Sequence, residues 1–424
     1  MNILVITDVL WRTDNGVWNS YSNIFANLPN VEIQNICCQE GRSDNTVSTR
    51  CFQISERRLL TNLVKPSIPS GTVENKNSDG SKRIQSAGLA TRILKRSRMQ
   101  ILFWIRDLIW AVGKWKTKAL DTFIDDFNPD IIFAQLQDKK YLNSLIRYVQ
   151  QYSGKKLVLY AWDDVYSLKQ FSLSPLFWID RFLQRRSIRR LIKSASFLYT
   201  ISEEQKEEYA RTLGIPTGVL FKGGPFTTEP APSEINKPIR VLYTGNLYSG
   251  RYDTLRSIAE LIDQKYNESI RLDIYSATDL SRNQINRLNG CRSVYFHGTV
   301  SEREVSILQD QADILLHIDP MSLKGSLICR LSFSTKLVDY FSKGKCIVAI
   351  GNKRCSSIKY LERNNGAMTL DSISKLDEAL CRLLDDPGAM KAYAHQAWEC
   401  GCRNHQIASV QSELMKRLGE LASS

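Results

Sequence analysis

Two short stretches in the second half of the chain gather the residue types that could hold an anion such as a phosphate. The first is Val241-Leu-Tyr-Thr-Gly245-Asn246-Leu247, an apolar run ending in a glycine turn, with Arg251 at the entry to a helix. A glycine there lets backbone N–H groups approach an anion, and an arginine offers a planar fork to a phosphate. The second is Arg330-Leu-Ser332-Phe-Ser334-Thr335-Lys336-Leu-Val-Asp339, closed by Gly344 before the run Cys346–Ile350. Its hydroxyls and Lys336 fall at the predicted start of a helix, where unpaired N–H groups and the dipole favour negative charge. Asp339 lies on a neighbouring face, and a short acid there accepts two hydrogen bonds from a vicinal diol such as a ribose. Each residue also has an ordinary reading: Ser334 as a cap, Lys336 as a solvated side chain, Asp339 in a surface pair.

The elements around these stretches alternate short apolar runs with amphipathic segments, the pattern of parallel sheets with helical crossovers. In the first half the predicted strands are Ile3–Thr7, Val31–Cys37, Ile131–Ala134, Leu157–Ala161 and Phe197–Ile201. In the second they are Val219–Phe221, Arg240–Thr244, Arg271–Tyr275, Val294–Phe296, Ile314–Ile318, Cys346–Ile350 and Ala367–Leu370. Ser202 with Gln205, and Ser301 with Glu304, read as reciprocal helix caps. His297 and His317 read as residues packed at strand ends, since no carboxylate or nucleophile accompanies them at a recognisable spacing. The Pro-rich segment Phe226–Pro238 reads as a linker, and Pro66–Gly88 as a mobile insertion. The expectation is an α/β protein of two doubly wound units: 1–215, 216–395, and a C-terminal helix 396–424 that could cross back to the first.

At 424 residues the chain exceeds one ordinary core. A net charge of +13 calls for an acidic partner: nucleic acid, anionic membrane or a phosphorylated substrate. No leader-like succession precedes the first strand, and the most apolar stretch, Ile101–Gly113, is split by Arg106-Asp107. The ten cysteines lack metal-ligand spacing, so free thiols and no metal are expected. A nicotinamide oxidoreductase would need a Gly-x-Gly-x-x-Gly turn after the first strand, which is absent. No recognised nucleic-acid module appears either, although a basic nucleic-acid-binding protein stands as the alternative class.

It is the order of the pieces that resembles a known family. Arg240–Gly351 resembles the nucleotide-sugar half of the family-4-type retaining glycosyltransferases, enzymes with two Rossmann-like domains facing a cleft (the GT-B fold). The succession is a Gly-Asn-Leu turn with a basic residue behind it, Phe296-His-Gly-Thr-Val-Ser301, Ala312-Asp-Ile-Leu-Leu316, then Ser334-Thr-Lys-Leu-Val-Asp-Tyr-Phe-Ser-Lys-Gly-Lys345. The resemblance implies that Arg251 and Lys336 hold the donor diphosphate in place of a metal. It places Gly245, Asn246, Ser334 and Thr335 at the donor and Asp339 on its ribose. In the first half Asn15-Gly16-Val17 is similar to the family's glycine loop, where Gly16 would let the first domain close on the phosphates. Trp162-Asp163-Asp164 ends a strand where the family places an acceptor-side polar group, so Asp163 is a candidate for the reaction and Asp164 for the acceptor. Both also fit a strand-end turn. One departure stands out: the family's earlier motif glutamate is Leu331 here. The implied activity is retaining hexosyl transfer without metal or cofactor. The implied acceptor is a lipid-linked oligosaccharide of surface polysaccharide, met by a cytoplasmic enzyme on the inner face of the membrane. A degenerate, inactive member is the other reading.

A last stretch points the same way. From Lys82 to Lys118 many basic residues interleave with Trp104, Trp110, Trp115 and aliphatic side chains, opposed only by Asp107, and Arg181–Lys193 is again basic. Tryptophans at the headgroups and snorkelling cations suit an anionic interface. Alternatively, the helix packs its tryptophans inward.

Overall fold

Short β-branched and aliphatic runs form two sheets in the computed structural model, which describes residues 1–11, 16–75 and 100–424. The first sheet holds β1 (Asn2–Thr7), β2 (Glu32–Cys37), β3 (Arg50–Ile54), β4 (Gly71–Asn75), β5 (Ile131–Gln135), β6 (Lys156–Ala161), β7 (Phe197–Thr200) and β8 (Thr217–Val219). Their spatial order is β4-β3-β2-β1-β5-β6-β7-β8, all parallel except the edge pair β3–β4. The second holds β9 (Ile239–Thr244), β10 (Ile270–Tyr275), β11 (Val294–Gly298), β12 (Ile314–Ile318), β13 (Cys346–Ile350) and β14 (Met368–Leu370), in the order β11-β10-β9-β12-β13-β14. Both sheets are doubly wound. Strand order reverses between β1 and β5 in one and between β9 and β12 in the other, and ligands gather outside the carboxyl ends at such points.

Three expectations are corrected. The strand expected at Val219–Phe221 in the second unit lies at Thr217–Val219 and extends the first sheet, because Leu198 registers with Thr217 on the parallel ladder. Within the stretch read as a mobile insertion, Gly71–Asn75 is an ordered edge strand paired antiparallel with β3; residues 76–88 lie outside the described residues. Finally, Gln205 accepts from the N–H of Ile201 at 3.0 Å rather than from that of Ser202, whose hydroxyl accepts from the N–H of Gln205 at 3.2 Å. The Ser301–Glu304 capping box is complete.

Helix Ile407–Ala422 packs on the first domain. Its Leu414 and Leu418 are buried with Ile3, Val5 and Phe133 of that sheet. The chain therefore crosses between domains twice, and the crossings touch. The N–H of Gly224 donates to His405 O at 2.7 Å, and Gly224 O accepts from the N–H of Ile407 at 3.1 Å. Burial lowers the His405 imidazole to about 4, and its Nε2 pairs with the Tyr360 hydroxyl at 2.7 Å. All ten cysteines are free thiols. Among the described residues no helix is long and apolar enough to cross a membrane.

Candidate active site

The turn after β9 and the end of β12 stand side by side at the reversal point of the second sheet, and the site is built there. Gly245 sits at φ +149°, and a Cβ on it would run into Lys336 Nζ. A larger residue there would displace that ammonium from its present place. Lys336 Nζ donates to Thr244 O at 2.6 Å and lies 5.3 Å from the centroid of the Tyr243 ring. Two of its three N–H groups remain for a ligand. Burial, and after it the neighbouring Arg251, lowers the Lys336 ammonium to about 8. A charge held at this cost attracts an anion strongly, because the anion restores what burial removed.

Arg251 opens helix Arg251–Lys265 after Gly250, whose φ is +93°. Its guanidinium is braced from behind. Nε donates to Ile318 O at 3.0 Å, Nη2 to Asp319 Oδ1 at 3.0 Å and to Cys329 Sγ at 3.3 Å, and Nη1 reaches Asn246 Oδ1 at 3.4 Å. Burial works against this charge, but Asp319 leads the groups that outweigh it and raise the guanidinium pKa. Asp319 itself is 1% exposed. Burial pushes its carboxyl up, while His317 and Arg251 outweigh that effect and hold it below the usual carboxylate range. His317 Nε2 lies 3.4 Å from Asp319 Oδ2 in the same buried layer. A buried carboxylate thus anchors one cation of a converging pair, a support that the sequence reading missed. His297, near the end of β11, is exposed; its Nε2 donates to Asp273 Oδ1 at 2.7 Å, and its ring stacks on Tyr275 at 4.5 Å.

The helix after Ser334 is short, Lys336–Phe341. Its N-cap residue Thr335 makes no side-chain capping bond, so the cation rather than an extended dipole carries the charge here. Ser334 is no cap either: its N–H donates to Ser357 Oγ at 3.1 Å. Both hydroxyl residues are half-buried beside Lys336. Asp339 is the more exposed partner of an ion pair with Lys222 Nζ at 2.5 Å. Lys222 belongs to the first interdomain crossing and was not anticipated, since 117 positions separate the pair. Gly16 opens the helix Gly16–Phe25 that follows β1, and Asn15 of the same loop lies outside the described residues.

Across the cleft, the exposed Asp163 at the end of β6 accepts from Ser332 Oγ at 2.9 Å through Oδ1. Asp164 does not share that position. It is buried, accepts from the N–H of Ser167 at 2.8 Å and from the Ser167 hydroxyl, and lies 3.3 Å from Arg330 Nη2. Its carboxylate bonds inside the protein, and Asp164 also lines a cleft of the first domain with Phe103 and Phe177. Leu331 is fully buried in the core of the first domain, and its carbonyl accepts from Ser202 Oγ at 2.8 Å. A charged glutamate at that position would be buried among apolar side chains at a desolvation cost.

No protein-family model matches the chain, and no curated protein matches it in sequence. Its architecture does match solved structures. HepE of Anabaena in complex with UDP matches over 99% of this chain and 100% of its own, with a TM-score of 0.66 at 12% identity. Sucrose-phosphate synthase of Thermosynechococcus elongatus covers 100% of both chains with a TM-score of 0.63 at 11% identity. The chain has the GT-B fold. The pneumococcal O-GlcNAc transferase GtfA, solved with UDP and GlcNAc, matches over 72% of this chain and 60% of its own, with a TM-score of 0.52 at 13% identity. In this GT-B chain an ion pair, a candidate latch, joins the two domains. Arg330 Nη1 lies 2.5 Å from Glu208 Oε2 and Nη2 2.9 Å from Oε1, in a bidentate pair beside the Leu331 plug and the Ser332–Asp163 bond.

Proposed function

We propose that this protein is a glycosyltransferase that takes a sugar from a nucleotide diphosphate carrier. The observation that carries the reading is the convergence of Arg251 and Lys336 beneath Gly245, at the reversal point of the second sheet. Departure of the nucleoside diphosphate breaks the bond between the anomeric carbon and a phosphate oxygen, and negative charge grows on that oxygen. Two preorganised cations there lower the barrier without reorganising, in the role a divalent metal fills elsewhere. Asn246, Ser334 and Thr335 add hydrogen bonds to the donor, Asp339 holds the ribose, and Gly16 approaches the phosphates from the first domain. Asp163, exposed across the cleft, orients the acceptor hydroxyl.

The UDP and UDP-glucose complexes of HepE support a uridine donor as the first to test. The resemblance of Arg240–Gly351 supports retention at the anomeric carbon, with attack on the face the leaving group vacates. The acceptor in this reading is a lipid-linked oligosaccharide of a surface polysaccharide, met at the inner face of a membrane by a cytoplasmic protein. A thermal-shift panel of nucleoside diphosphates and their sugars tests the donor directly. A ligand at a hundred times its Kd stabilises by about 2.7 kcal/mol, so failure of every nucleotide to raise Tm would remove the donor site.

A further inference from the structure

The first domain exposes a surface that the donor site does not use. Helices Glu56–Val64, Gln100–Val112 and Pro175–Ile192 adjoin one another: the first two pack together, and Trp104 Nε1 of the second donates to Asp180 Oδ1 of the third at 3.0 Å. Most of the large apolar side chains that the described residues expose lie on these helices and the loop before the third. Helix Glu56–Val64 shows Leu60, Leu63 and Val64, the last 80% exposed. From Gln100–Val112 come Ile105, Leu108 and Val112, on one face by their spacing. The third helix adds Leu176, Ile179 and Phe182, and the loop before it Phe171 and Leu173, the latter 88% exposed. So extended an apolar surface marks an interaction site.

The outward-facing charges on and just beyond the three helices have one sign. Each helix carries a single carboxylate, and each is turned inward. Glu56 pairs with Arg106 at 2.5 Å, Asp107 with Lys140 at 2.8 Å, and the buried Asp180 with Lys140 at 3.0 Å. The outward charges are cationic: Arg57 and Lys65, Lys114, and Arg186, Arg190 and Lys193. The tryptophans are not the anchors that the sequence suggested. Trp110 and Trp115 are 2% and 7% exposed in the core, and the basic residues Lys82, Arg83, Arg92, Lys95, Arg96 and Arg98 lie outside the described residues.

We propose that this face docks on an anionic lipid bilayer, inserting its leucines and phenylalanines while its arginines and lysines rest on the headgroups. A cleft of about 220 Å³ runs between Phe103 of the second helix and Phe177 of the third, with Asp107, Asp138, Gln170 and Gln184 in its walls. Docking brings this cleft to the membrane. An acceptor of amphiphilic class, apolar in its tail and hydroxyl-rich in its head, meets the protein there; that assignment rests on the transferase reading, whereas the docking does not.

The test is co-sedimentation of the full chain with phosphatidylcholine vesicles containing about 30% phosphatidylglycerol. Binding is expected at low salt and is expected to fade as ionic strength rises. A Phe171→Glu/Leu173→Glu double variant, in a solvent-exposed loop, is expected to lose roughly tenfold in vesicle affinity and to keep the wild-type UDP-induced rise in Tm. Wild-type protein left in the supernatant at low salt would overturn the proposal, as would a double variant that sediments like wild type. A wild-type dimer that the double variant dissolves would give the face to a second copy instead. Vesicle binding without any nucleotide-induced stabilisation would remove the donor reading and leave the docking surface standing.

Discussion

Lys336 makes the affinity for a nucleoside diphosphate depend on pH in a calculable way. Its ammonium is held at about 8 by burial and by Arg251, so the charge is present below that pH and is lost as pH rises through it. The protein is then about nine-tenths charged at pH 7 and about one-tenth at pH 9. A diphosphate that binds the charged form should therefore bind roughly tenfold more weakly at pH 9 than at pH 7, about 1.4 kcal/mol. The phosphate's own last ionisation, near pH 6, is largely complete across this range. Isothermal titration of UDP at pH 7, 8 and 9, each in two buffers of different ionisation enthalpy, reads both the affinity and the proton taken up. Near pH 8 the uptake should approach about half a proton. Lys336→Met should weaken binding at pH 7 and flatten the dependence. Equal affinities at pH 7 and 9, or a Lys336→Met variant with the wild-type slope, would refute the placement of the diphosphate on this ammonium.

Gly245→Ala should mimic Lys336→Met, because its Cβ would occupy the space of Nζ; wild-type UDP affinity in that variant would show that the ammonium sits elsewhere. Asp339→Asn should weaken UDP several-fold and leave pyrophosphate unchanged, since only the former carries a ribose; equal losses in calorimetry would count against the diol contact. Turnover should survive a chelator, with Arg251→Ala falling by roughly 10²-fold; activity restored only by magnesium or manganese would contradict the two-cation reading. The latch should loosen in acid. Burial raises the Glu208 carboxyl, but Arg330 outweighs it and leaves the pKa lowered, so its stabilisation is present above the unfolded value of about 4.3 and lost as pH falls through the lower folded one. Small-angle scattering should show Arg330→Met already expanded at neutral pH and insensitive to that acid step.

Much of this architecture is written locally. β1, β9, β12 and β13 are continuous apolar runs because both faces of a parallel sheet are covered, and such runs are easy to read. Arg50–Ile54 escaped because Arg-Cys-Phe-Gln-Ile breaks its apolar run with polar residues, and Gly71–Asn75 because an edge strand needs less apolar sequence: Gly-Thr-Val-Glu-Asn has one aliphatic residue, and its partner β3 supplies the rest. At the site, Gly245, Arg251 and Lys336 were legible from residue type and order. Their supports were not. Asp319 reads as the end of an apolar strand, and Lys222 meets Asp339 only after both domains have formed. Asp163 and Asp164 are neighbours in sequence with opposite fates, because alternate residues at a strand end point to opposite sides. Trp110 turns inward on a helix that exposes Ile105, Leu108 and Val112 on another side, and periodicity alone does not tell a core face from an outward one.

The C-terminal helix has a consequence for how the protein comes into being. Leu414 and Leu418 cover Ile3 and Val5, so the first strand of one domain is sealed by a helix that follows the whole of the other. Domains ordinarily fold as units in order of emergence from the ribosome. Here the second domain, complete before residue 407, can finish while the first still has an open apolar flank. Until helix Ile407–Ala422 has emerged, that flank of β1 and β5 is available to chaperones or to other nascent chains. Truncation before Ile407 would thus strike the domain whose own sheet had been made long before.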